Sequence, residues 1–201
     1  YTHSLDHNDN IVELFIQSPS PSVDDTAHMM LVRQLLQPAF YHQLRTEKQL
    51  GYIVAALSVP LLNLENSLLV VQSPATDEAR VIKEIDSLLD AQASVIADNL
   101  ELNQQSLIKK LQEPARSLKE QSERYWNSIT THDEDFSRRE ALIAAVANIT
   151  PESLNHFYKT IFLDKNRRLW LTSDALDTRD GFTEIQDLSA YKNQMGRLAQ
   201  P

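Results

Sequence analysis

The feature that most narrows the fold is where the strand-like stretches fall along the chain. "IVELFIQ" (residues 11–17) is dense in β-branched and aromatic residues and reads as a strand. "YIVAALSV" and "NSLLVVQSP" follow later, separated only by a short connection around "PLLNLE", and "RRLWLTS" closes the series. Two adjoining strands with a short joint read as a hairpin in one sheet. The order strand, helix, two strands, several helices, strand predicts an α+β fold: a largely antiparallel sheet with helices packed on one face.

The helical stretches carry their own signals. "VDDTAHMMLVRQLLQPAFYHQLRTEKQL" has helical periodicity, with Asp24 or Asp25 near its start where the helix dipole favours acid. Pro38 lacks a backbone donor, so a kink or break is expected there, with Pro38 opening the second piece. Gly51 is expected to end the helix. From Thr76 to about Phe162 the pattern is helical nearly throughout, and Val81, Ile82, Ile85, Leu88 and Leu89 have the spacing of a buried stripe. "TPESLNHFYKTIFL" has Thr150 placed to cap it and Pro151 at its first helical position. Residues 1–175 are expected to form one domain and residues 176–201 a C-terminal tail.

Composition removes whole classes of function. A net charge of -9 argues against nucleic acid, and "RRE" and "KNRR" are short, interrupted basic runs. Zero cysteines exclude disulfides, thiolate catalysis and Cys-ligated zinc. Three glycines leave no phosphate-cradling loop. No apolar run approaches the roughly 20 residues that cross a bilayer, so no membrane partner is expected. The chain starts at Tyr1 rather than Met, which predicts a fragment or a processed product.

"HSLDH" (residues 3–7) looks like a metal motif, one methylene short of H-x-x-E-H. His3 and His7 share a face only in a helix, yet the segment runs from a terminus into "NDN", a turn signal before a strand. Asp6 has a shorter reach than the glutamate that would polarise a water, and a third protein ligand would be needed. The motif is read as a coincidence of composition. His28, His42, His132 and His156 are scattered over the helices and expected to be structural or solvated. Glu120, Glu123 and Glu134 read as solvated partners of Lys119, Arg124 and Arg138. Trp126 is expected in the core.

"LRTEKQLGYIV" (residues 44–54) closely resembles a run in the C-terminal half of the pitrilysin/insulysin zinc metallopeptidases, where a helix leads into a strand. "HNDNIVELFIQ", "SERYWNSITTHDEDFSRRE", "TPESLNHFYKTIFL" and "LSAYKNQMGRL" resemble other segments of the same domain, in order. The resemblance implies the fourth domain of such a peptidase, with the LuxS/mitochondrial-processing-peptidase-like metallohydrolase fold. It also implies that the zinc is bound by an N-terminal domain absent here, so this chain would hold no metal and no cofactor and be inactive alone. The implied partners are a peptide or small protein substrate and the other domains of its own polypeptide, and the implied compartment is the periplasm.

Carried onto matching positions, the resemblance makes Arg45 and Tyr52 contributors to an active site in another domain. A phenol donor suits the charge that grows on a carbonyl oxygen under attack. Arg45 suits fixing a substrate backbone or holding Tyr52. Their bland alternatives are an arginine at a helix C-terminus and a tyrosine packed on a strand. Gln49 is expected only to support the turn. A non-catalytic scaffold or assembly domain of the same fold is the alternative for the whole chain.

Overall fold

The computed structural model describes residues 9–61, 63–130, 136–173, 184–185 and 187–194. Strands β1 (Asn10–Ile16), β2 (Ile53–Leu61), β3 (Leu64–Ser73) and β4 (Arg168–Thr172) form one sheet in the order β2-β3-β1-β4. Every neighbouring pair is antiparallel. Alternation along each strand sorts the side chains to two faces. The rows Val54–Val71–Val12 and Ala56–Leu69–Leu14 lie on the helix-covered face and are buried. A slip of one residue would turn Val12, Leu14 and Ile16 outward, each losing roughly 1.5–3 kcal/mol of burial. That loss, not any single ladder bond, sets the register.

The helices are α1 (Val23–Tyr41), α2 (Glu78–Gln92), α3 (Leu100–Gln112), α4 (Leu118–Thr130), α5 (Arg138–Asn148), α6 (Pro151–Phe157) and α7 (Leu188–Gln194). α1 starts at Ser22, whose hydroxyl accepts from the Asp25 N–H at 3.1 Å. It packs against β2 and β3 and also against α2, α3 and α5. The expected stripe of α2 is buried, Val81, Ile82, Ile85, Leu88 and Leu89 alike. α6 is closed by a capping box between Thr150 and Ser153, with Pro151 at its start as expected.

Three expectations need correction. Pro38 neither breaks α1 nor opens a second helix; it lies inside it. Leu36 and Phe40, on either side of Pro38, are buried to within 1%, and burying them offsets the missing donor. The hairpin joint is shorter than "PLLNLE", because Pro60, Leu61, Leu64 and Glu65 are all paired. Pro60 is tolerated since β2 is an edge strand, and Asn63 takes the left-handed conformation (φ 65°) that the tight turn needs. Trp126 is 66% exposed rather than core, and α4 buries none of its residues. Within the expected tail, Leu188–Gln194 form α7, and the expected boundary at 175/176 lies outside the described residues.

Candidate functional site

Arg45 reaches the residue just before Tyr52 at one end of the sheet. α1 passes into a wider π-helical turn, His42–Glu47, which carries Arg45. Leu44 on this turn is fully buried, which locks the segment to the core. Gln49 then takes a left-handed conformation (φ 50°), and the Leu50 N–H closes back on the Leu44 carbonyl at 2.9 Å. The helix therefore stops at Gln49, before Gly51. Gly51 is needed for another reason: a Cβ there would stand 2.2 Å from the Gln72 carbonyl oxygen of β3. Its small size lets the chain enter β2 close against β3, and the Tyr52 N–H donates to that same carbonyl at 3.0 Å.

The Arg45 guanidinium donates to the Gly51 carbonyl at 2.6 Å. It thus clamps the peptide unit directly before Tyr52. The Tyr52 ring is 47% exposed, and its hydroxyl donates to the Asp9 carboxylate, which also accepts from the Gln72 amide at 2.8 Å. The carboxylate, first through this hydrogen bond and then with some burial and charge repulsion, pushes the phenol pKa up from its ordinary value. Asp9 and Gln72 drew no attention in the sequence, where Asp9 was one letter of a turn signal. Only the pairing of Ile11 and Ile53 with the same residue, Gln72, brings the two strand entrances together.

The site opens onto the sheet face turned away from the helices. By strand alternation this face carries the rows Ile53–Gln72–Ile11, Ala55–Val70–Glu13–Leu171 and Leu57–Leu68–Phe15–Leu169. Ile53, Leu57, Leu61 and Leu169 are 42%, 46%, 53% and 38% exposed. An apolar strip beside a phenol and an arginine suits an extended peptide better than a charged ligand.

The other candidates are dispersed. His28 stacks on Phe157 at 4.9 Å and approaches the Ser153 hydroxyl, a structural setting. His42 pairs with Glu47 at 3.2 Å on the surface, and His156 lies in the last turn of α6. Lys119–Glu123 and Arg124–Glu120 are surface pairs as expected, at 3.8 and 2.6 Å. Arg138 donates to the Pro21 carbonyl and the Thr26 hydroxyl. His3, Asp6, His7, His132 and Glu134 lie outside the described residues. Among the described residues, no three His, Asp or Glu side chains gather as metal ligands. Nor is any described helix long and apolar enough to cross a membrane.

Residues 31–126 match the family model for the C-terminal lobe domain 4 of PQQ synthase PqqF-like proteins. The insulin-degrading enzyme of Drosophila melanogaster is 27% identical over 168 residues, 81% of this chain and 17% of that protein. The crystal structure of pitrilysin matches 97% of this chain and 22% of its own, with a TM-score of 0.78 at 20% identity. The chain is similar in sequence to these proteins and shares the fold of pitrilysin.

The inactive peptidase domain of a Bordetella parapertussis protein also shares the fold of this chain. Its TM-score is 0.69 at 13% identity, over 90% of this chain and all of that one. The chain spans less than a fifth of the curated relatives it matches. The hydrolase class is supported at the level of these longer relatives.

Proposed function

We propose that this domain serves as the metal-free partner lobe of a pitrilysin-like zinc endopeptidase, where it forms part of the wall of a closed peptide chamber. Tyr52 donates a hydrogen bond to a peptide carbonyl oxygen and stabilises the negative charge that builds there. Arg45 acts chiefly through the Gly51 carbonyl, holding the Tyr52 peptide unit in place. The observation that carries this reading is the convergence of Arg45, Gly51 and Tyr52 at one exposed rim, beside the apolar sheet face. The substrate is a peptide or small protein lying along that face. Zinc belongs to another domain of the parent polypeptide, and the chain alone neither binds zinc stoichiometrically nor cleaves peptides. Periplasmic residence of the parent is part of the same proposal.

The deciding experiment replaces Tyr52 with Phe in the full-length polypeptide. Loss of one preorganised donor should lower kcat by about 10²–10³ with little change in KM. Turnover at the parental rate would remove Tyr52 from the chemistry. The second reading, a non-catalytic domain, is supported by the inactive domain that shares this fold. Metal analysis and a fluorogenic peptide assay on the 201-residue chain provide a separate check. Stoichiometric zinc together with cleavage would overturn the partner-lobe reading.

A further inference from the structure

Asp9 lies just before β1 and reaches Tyr52 on the far side of β3, with the Gln72 side chain between them. A phenol carries one proton, so Tyr52 cannot donate to Asp9 and to a peptide carbonyl at the same time. We propose that Asp9 is a latch, a positioning residue that holds the Tyr52 phenol aimed but occupied until a bound peptide takes over its proton. The inference rests on the reading of Tyr52 as a donor given above.

Three features make the exchange feasible. Tyr52 is half-exposed, so a ligand can reach its hydroxyl. The hydroxyl turns about its own C–O bond, and the ring need not move. Asp9 keeps the Gln72 amide as a partner after release, so its charge is not abandoned. One charge-assisted hydrogen bond is then exchanged for another, to an oxygen that becomes anionic only as the reaction proceeds. A ground-state carbonyl is a weaker acceptor than the carboxylate and does not open the latch. The phenol is thereby reserved for the charged species.

Two measurements separate the latch from the donor reading. On the chain itself, the near-ultraviolet alkaline titration of Tyr52 is isolated as the difference from Tyr52→Phe. Asp9→Asn should move that ionisation down toward the ordinary phenol range. Gln72→Met, which removes one further pin on Asp9 but keeps the main-chain bond to Tyr52, should move it the same way to a smaller extent. Circular dichroism confirms that each variant folds, and either one suffices if the other does not. In the full-length polypeptide, Asp9→Asn should raise kcat/KM several-fold, because a neutral amide competes less for the proton. That gain should vanish in a Tyr52→Phe background.

A Tyr52 titration unmoved in the folded variants overturns the latch. So does a titration that moves while kcat/KM stays level or falls. Parental turnover in Tyr52→Phe alone instead defeats the donor reading, and with it the latch's catalytic role.

Discussion

Gly51 shows how one residue can serve the site without touching a ligand. Its demand is space: the Gln72 carbonyl occupies the position a side chain would take. Because that neighbour is backbone, Gly51→Ala must push β2 and β3 apart. It should cost about 2–3 kcal/mol, read as a lower urea midpoint, and release Tyr52 from its raised phenol titration. Tyr158 makes a second case, in the core. Its hydroxyl donates at 2.7 Å to the Leu89 carbonyl near the end of α2, where helix carbonyls lack intrahelical donors. Tyr158→Phe strands that carbonyl and should lose about 1–2 kcal/mol in denaturant unfolding. Burial pushes the Tyr158 phenol well above its ordinary value of 10.0, partly opposed by Arg168. The fold therefore favours the neutral phenol. That contribution is intact below the ordinary value and is lost as pH rises above it. An alkaline unfolding series should fall less steeply for Tyr158→Phe than for the parent chain. Arg45 and Tyr52 were legible as a pair from their motif, whereas Tyr158 was one aromatic among several helical ones.

At the scale of elements, local signals worked where the chemistry is local. Thr150, Pro151 and Ser153 announced the start of α6, and the capping box forms as their order suggests. Thr150→Ala should cost about 1 kcal/mol, measured as a fall in the thermal midpoint with an unchanged folded spectrum. Signals failed where neighbours outvoted them. Pro38 should stop a helix, but α1 is held along its length by the sheet and by α3 and α5. The π-helical turns His42–Glu47 and Tyr158–Phe162 had no letter pattern to reveal them. Each adds a residue to a turn to seat Leu44, Ile161 and Phe162 in the core, and the first thereby aims Arg45 at Gly51.

For the whole molecule, the sheet is lopsided: one face carries the helices and the other leaves Ile53, Leu57, Leu61 and Leu169 partly in water. β2, on the edge beside that face, bears no charged residue to discourage pairing with another strand. The isolated chain should therefore self-associate as concentration rises, which sedimentation velocity would detect. Leu57→Lys, at 46% exposure, should shift the distribution toward monomer while changing stability by less than about 0.5 kcal/mol. A parent chain in which a peptide or a further lobe occupies that face would lack this tendency.

By itself the sequence determined the α+β class, the order of the elements, the stripe of α2 and the cap of α6. Each of these is written in residues within a few turns or one strand of each other, where propensity, periodicity or a short motif suffices. Only the tertiary structure decided that Trp126 is exposed, that Pro38 is carried inside a helix, and that Gly51 serves close approach. Only it placed Asp9 and Gln72 around the Tyr52 phenol. The last of these depends on residues 43 and 63 positions apart in sequence being brought together across the sheet, and all of them on packing energy that no local pattern records.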